Sequence, residues 1–173
     1  MEIIIKDLMV VMTTLGKGQT VLWTSNSTVT KGGKAVCGRG FAKQLTEKYP
    51  GLKKLESMYL SGRKTIEERV DKYGNKVFLK EPVMHQVYCN YHNRKEVWAF
   101  PVKTAYWEKA DLNIIEQNAK RLRELALDHM PEEFHINFPG IGAGELNYEE
   151  VLPVLEKHWG DVPNIKVYKL QAQ

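Results

Sequence analysis

Two cysteines, Cys37 and Cys89, are all the chain has, and neither lies in a CxxC pair. That scarcity argues against a disulfide framework or a thiolate zinc site and fits a reducing cytoplasm. The five histidines show no HxxxH spacing, so no metal site is expected. No stretch approaches the roughly 20 apolar residues of a membrane span. The opening "MEIIIKDLMVVM" starts acidic, is broken by Lys6 and Asp7, and lacks a small-residue cleavage site, so it does not read as a signal peptide. Internal repeats and low-complexity tracts are absent. A dominant charge sign is missing too: 25 basic residues stand against 21 acidic, a net +4 too mild to announce a nucleic-acid binder.

What is present suits one soluble globular domain over residues 1–173, with 43% hydrophobic and 27% charged residues. "EIIIKDL" and "QTVLWTSN" read as strands, with "LGKGQ" a loop between them. "GRGFAKQLTEKYPGLKKLESMYL" reads as a helix stopped near Pro50 and followed by a second, with Leu52, Leu55, Met58 and Tyr59 expected on one apolar stripe. "KYGNKVFLKEP" resembles a hairpin arm, an excursion from the core at about 62–82. "HQVYCNYHNRKEVWAFPVK" follows as two strands joined by a polar turn at His92 to Lys95. The clearest helix is "ADLNIIEQNAKRLRELALDHM", capped by Asp111, with Ile115, Ala119, Leu122, Leu125 and Ala126 at helical spacing. "FHINFP" is then a strand, "NYEEVLPVLEKHW" a helix with Pro153 expected near its first turn, and "NIKVYKL" a closing strand. This alternation predicts an α/β domain with a mixed sheet between helices, whose ligands bind beyond the carboxyl ends of the strands.

Three loops leave strands at that end. "STVTKGGKAVCGRGFAKQL" is glycine-rich and runs into a helix start, where backbone N–H groups favour an anion and Gly38 and Gly40 let a phosphate come close. It matches neither GxxxxGK[ST] nor a full GxGxxG, and glycines that merely make a turn are an equal alternative. "NFPGIGAGELNYEE" repeats the logic with Gly140, Gly142 and Gly144 before a helix near Tyr148. Two such loops on one sheet point to a ligand with a diphosphate and a sugar. "FPVKTAYW" puts Lys103 just after an apolar strand, either solvated at the strand end or aimed into the cleft. From Lys31 to Lys54 seven basic residues face the single acid Glu47: a solvated helix face or a surface for a phosphate-bearing partner.

Taken together the three loops resemble the macro domain family, which binds ADP-ribose and has a three-layer α/β/α sandwich around a central mixed β-sheet. "VLWTSNS" is similar to that family's strand ending in paired asparagines; Asn26 matches the second, and Trp23 stands where the first is usual. "AVCGRGFAKQLTEKYPG" resembles its first ligand loop and helix, which implies that Val36, Cys37, Gly38, Arg39 and Gly40 surround the diphosphate. "FPGIGAGELNYEEV" resembles the second loop, placing Gly140, Ile141, Gly142, Ala143 and Gly144 over the diphosphate and distal ribose. "IIIKDL" is similar to the opening strand, so Asp7, followed by Leu8, matches the carboxylate that meets the adenine amino group, with Lys6 in place of a glycine.

Within the family, "AFPVKTAYW" resembles the segment of the DNA ADP-ribosyl glycohydrolase antitoxins and, less closely, of the protein-directed terminal ADP-ribose glycohydrolases. In both, the lysine matching Lys103 is catalytic. The Asp that partners it in the protein-directed branch has no match here, and Glu145 is the nearest carboxylate. The resemblance implies removal of ADP-ribose from modified DNA or protein with no cofactor. A binding module without chemistry and a phosphatase for ADP-ribose 1″-phosphate are the rival implications. Tyr106 and Trp107 stand ready to stack on a base or to pack in the core.

Overall fold

A computed structural model describes residues 1–12, 14–90 and 92–171. Its elements run β1 (Glu2–Ile5), α1 (Leu8–Met12), β2 (Gln19–Asn26), β3 (Thr28–Thr30), α2 (Gly40–Lys48), α3 (Pro50–Ser61), β4 (Thr65–Val70), β5 (Lys76–Lys80) and β6 (His85–Asn90). They continue with β7 (Lys95–Lys103), α4 (Leu112–Asp128), β8 (Glu133–Asn137), α5 (Tyr148–Trp159) and β9 (Ile165–Lys169). Six strands form one sheet in the order β1-β9-β8-β2-β7-β6. The first five in that order are parallel, and β6 runs antiparallel to β7 at the edge.

The continuous apolar runs of β2 and β7 reflect cover on both faces. On one face α4 and α5 bury Ile115, Ala119, Leu122, Val151, Leu155 and Trp159 against Leu22, Phe100, Ile136 and Val167. On the other, α1, α2 and α3 bury Leu8, Met12, Leu45 and Leu52 against Val21, Trp23, Val97 and Ala99. The result is the expected three-layer α/β/α sandwich with a mixed sheet. Asp111 caps α4 by accepting a 2.8 Å hydrogen bond from Asn113 N. Among the described residues no helix is long and apolar enough to cross a membrane.

The apolar stripe expected on α3 packs only in part, through Leu52 and Tyr59. Leu55 and Met58 are exposed, while Leu52, Glu56, Ser57 and Leu60 are buried. A polar partner decides this: Glu56 Oε1 lies 2.5 Å from His85 Nε2, and the ring of Tyr59 stacks on His85 at 3.7 Å. His85 Nδ1 lies 2.8 Å from Val83 O. A carbonyl only accepts, so Nδ1 carries the hydrogen of that bond, and Nε2 faces the Glu56 carboxylate. Glu56→Ala strands that nitrogen in the core and is expected to lower unfolding free energy by about 2 kcal/mol. Glu56→Gln, whose amide still donates to a neutral Nε2, should cost clearly less in urea titrations.

Pro153 also departs from expectation. It is the sixth residue of α5, on an exposed face, so the Glu149 carbonyl it leaves without an N–H partner can take water instead. The arm at about 62–82 is a hairpin of β4 and β5 whose turn uses Gly74 at φ 82°. It is joined to β3, giving a second, three-stranded sheet ordered β3-β5-β4. Val77 and Leu79 bury themselves there against Ala105, with Trp107 packed beside them.

Candidate functional site

The parallel strands deliver their carboxyl ends to one side of the sheet, and a cleft of about 830 Å³ runs across them. With strands about 4.8 Å apart, four gaps from β1 to β7 give it a length of roughly 19 Å. Lys6 follows β1, Lys169 ends β9, Asn137 ends β8, Asn26 ends β2, and Lys103 ends β7. Four basic side chains line the cleft (Lys6, Arg39, Lys103 and Lys169), against one acidic side chain, Glu149. That imbalance favours an anionic occupant.

Val36, Cys37, Gly38, Arg39 and Gly40, the residues of the first loop, all line the cleft. Helix α2 starts there without a side-chain cap and without an acidic residue in its first turn. The N–H groups of Gly40, Phe41 and Ala42 have no carbonyl one turn back to bond to, and all three residues border the cleft. Gly40 takes φ 59°, a turn in the left-handed region. Burial pushes the Cys37 thiol up to about 11, so it is no rival nucleophile at neutral pH.

Asn26 lines the same wall, yet its amide is used inside the protein. Its Nδ2 donates to Val36 O at 3.0 Å, and its Oδ1 accepts from Thr28 N at 3.0 Å. The asparagine thereby ties the end of β2 to the first loop. Trp23 also borders the cleft but is fully buried. Trp23 Nε1 and Ser25 Oγ are buried without a partner among the described residues. Such orphans call for a water or a ligand.

Gly140, Ile141, Gly142, Ala143 and Gly144 form the opposite wall. Here the local geometry differs from the expected strand–glycine–helix repeat. The backbone first makes a 3-10 turn over Gly142–Gly144, with Gly142 at φ 66°. Helix α5 begins only after it and is already capped: Glu150 accepts from Asn147 N at 2.8 Å, and Glu149 and Glu150 make its first turn acidic. The 141–143 backbone, not the α5 terminus, is what this loop offers an anion.

Lys103 owes its place to a register slip. Strand β7 pairs Pro101 with Ser25, then Lys103 with Asn26, skipping Val102. Pro101 has no N–H for the ladder, which is where a central strand accommodates a bulge. Lys103 is 9% exposed. Burial first, then the Arg39 guanidinium, hold its ammonium below the usual lysine value; the fields of Glu145 and Glu108 pull the other way. Lys103 also borders a second hollow of about 370 Å³, shared with Thr104, Glu108, Lys109, Asp111 and Leu112.

Leu8 lines the main cleft; Asp7 and Glu145 are not among its lining residues. Asp7 stands at the head of α1, its Oδ1 accepting from Met9 N at 2.9 Å. Glu145 is exposed, in the left-handed conformation at φ 63°. Tyr106 lines the cleft. Sequence reading missed Lys169, Tyr148 and Phe138, which meet at the cleft with Lys169 Nζ 3.8 Å from the Tyr148 ring centre. Lys169 ends β9, Phe138 follows β8 and Tyr148 opens α5, so only the folded sheet with its covering helix brings them together. Among the described residues no group of three or more His, Cys, Asp or Glu can hold a metal ion.

No family model and no curated protein matches this sequence. Solved structures do match in three dimensions. The macrodomain of Thermus aquaticus DarG superposes with a TM-score of 0.66 at 15% identity, over 99% of this chain and 97% of that one. The macrodomain of Mycobacterium tuberculosis DarG gives 0.64 at 19% identity, over 89% and 90%. Thermosipho africanus DarTG, solved in complex with ADP-ribose, gives 0.62 at 14% identity, with 90% of this chain covering 39% of that one. The chain has the macrodomain fold.

Proposed function

We propose that the cleft binds ADP-ribose and that Lys103 releases it from a modified macromolecule. The observation that carries the reading is the run of four cations and two backbone turns along a cleft that ends at a buried lysine. One structurally similar protein was solved with ADP-ribose. We assign Leu8 and the Asp7 carboxylate to the adenine end. Asn26, Val36, Cys37, Gly38, Arg39 and Gly40 hold the diphosphate from one side. Gly140, Ile141, Gly142, Ala143 and Gly144 hold the diphosphate and distal ribose from the other.

The Lys103 amine then attacks C1 of the distal ribose. The bond to the base or carboxylate breaks with its electron pair and takes up a proton. Water hydrolyses the lysine adduct, restoring the amine and yielding ADP-ribose. Burial and Arg39 supply the lowered amine pKa that a nucleophile requires. Glu145, the carboxylate acting most strongly on Lys103, is assigned to take the proton the ammonium sheds. The reaction so written needs no metal or cofactor.

DNA is the favoured macromolecule, because Lys31, Lys34, Arg39, Lys43, Lys48, Lys53 and Lys54 are all exposed, and phosphate neutralisation supplies affinity. ADP-ribosylated protein is the second candidate. A cytoplasmic setting suits either substrate.

Calorimetry with ADP-ribose, ADP, AMP and NAD tests the binding. ADP-ribose should bind best, and equal affinity for ADP would remove the distal-ribose contacts. Gly38→Val sharpens the test. A Cβ at Gly38 meets nothing within 4 Å, so the fold should be kept. The added methyl groups enter the diphosphate position and should weaken ADP-ribose at least about tenfold, or about 1.4 kcal/mol. Release of inorganic phosphate from ADP-ribose 1″-phosphate, unaffected by Lys103→Ala, would select the phosphatase. ADP-ribose binding without release from any modified substrate would select a non-catalytic module.

A further inference from the structure

The β4–β5 arm has no role in the reading above, yet its tip is fastened to the cleft wall. Asp71 builds the turn: its Oδ1 accepts from Tyr73 N and Asn75 N, both at 2.9 Å. Its Oδ2 accepts from the Tyr106 hydroxyl at 3.2 Å, and Tyr106 lines the cleft three residues after Lys103. Tyr106 is itself held, its N–H donating to Thr28 Oγ1 at 2.9 Å and its ring meeting Trp107 edge-on at 5.0 Å. Arg69 lies over Trp107 at 5.4 Å. The turn is therefore a fixed extension of the cleft mouth.

What it displays is Tyr73, 71% exposed, with the Lys72 ammonium 5.1 Å from its ring centre. Val70, at the turn end of β4, is exposed as well. Strand β3 pairs Thr30 with Val77, so Lys31 emerges at the same end of this small sheet as Lys72 and Lys76. The nearby acids are engaged: Glu68 with Lys76 at 3.1 Å, Glu67 with Arg69 at 3.6 Å, and Asp71 with its own turn. Among the described residues Lys31 and Lys72 form no ion pair. An exposed ring flanked by free cations, with no free carboxylate beside it, matches a base and its neighbouring phosphates.

We propose that this turn is a landing surface for single-stranded nucleic acid, with a base flanking the modified nucleotide stacked on Tyr73 and phosphates near Lys72 and Lys31. The proposal rests on the reading that the cleft holds ADP-ribose attached to a larger molecule. The test uses the full chain with Tyr73→Ala, Tyr73→Trp and the double variant Lys31→Ala/Lys72→Ala. Binding of a short labelled, unmodified single-stranded DNA is measured beside ADP-ribose calorimetry.

Tyr73→Ala should weaken the oligonucleotide about fivefold or more, the low end of one stacked base. Tyr73→Trp should restore it, the lysine variant should flatten its salt dependence, and ADP-ribose affinity should stay at the wild-type value. Unchanged oligonucleotide affinity in Tyr73→Ala would overturn the proposal, as would no binding by the wild type. A Tyr73-dependent preference for an ADP-ribosylated peptide over the modified oligonucleotide would overturn it in favour of a peptide surface. Tyr73-dependent DNA binding in a protein that ignores ADP-ribose would sustain the landing surface and sink the reading of the cleft.

Discussion

Lys103→Ala is expected to abolish release of ADP-ribose from a modified oligonucleotide or peptide, a loss of at least about 10³-fold, because the nucleophile that forms the covalent adduct is gone. ADP-ribose affinity should stay within a few-fold, because the cleft's other three cations and its two backbone turns remain. Single-turnover release beside calorimetry on the same preparation separates the two effects. Full turnover in the variant removes Lys103 from the chemistry.

The pH profile identifies its role. Burial and Arg39 lower the Lys103 pKa. If the neutral amine attacks, the rate rises with pH and levels off at a value below that of an ordinary lysine. If the ammonium instead stabilises the departing charge, the rate falls across the same range. The lowered value also fixes a stability trend. An unfolded chain holds this proton more tightly than the folded one, so stability rises as pH climbs from the folded pKa towards the ordinary lysine value. At neutral pH the buried charge is a burden. Lys103→Met should therefore raise the melting temperature, by about 1 kcal/mol in stability, while losing turnover.

Gly140→Ala should do the reverse and strike the fold first. Gly140 sits at φ 81°, and a Cβ there would stand 2.7 Å from Ile115 Cδ1 and 3.1 Å from Leu146 Cδ1. Ile115 is fully buried, so its methyl has nowhere to retreat without moving the α4 contact. Overpacking of this kind adds to left-handed strain, and about 3 kcal/mol of destabilisation is expected. Urea titration measures it. The contrast with Gly142→Ala is informative: Gly142 has a similar φ of 66° but nothing within 4 Å. That variant should lose about 1 kcal/mol, the strain alone. Equal losses at the two positions would mean that the second loop is not braced on the core.

The glycines of the second loop thus divide by cause, which sequence could not do. Their spacing showed a backbone under constraint, while whether a side chain would meet protein or open cleft depends on Ile115 of α4, an element separated from the loop by the whole of β8. The long periodic elements were legible for a related reason: α4 packs along one stripe whose spacing is written in its own residues. Where the partner is remote, the reading failed. The buried face of α3 turns on Glu56 meeting His85, and strand β3 is three residues in a polar loop that becomes a strand only beside β5. Helix α1, five residues long, follows β1 too closely for any period to show. At the cleft, the two glycine loops and Lys103 were legible, while Lys6, Lys169 and Tyr148 converge only once the strand order and the start of α5 are in place.

The slip at Pro101 has a consequence for engineering. Ladder geometry, rather than the torsions of a long flexible side chain, decides that the amine of Lys103 starts out beside Asn26; in unbroken register its neighbour would be Ser27. A residue able to donate at position 101 makes a better sheet and draws the lysine one step along it. Screens for thermal robustness that favour such replacements would select, on the proposed chemistry, for silent proteins.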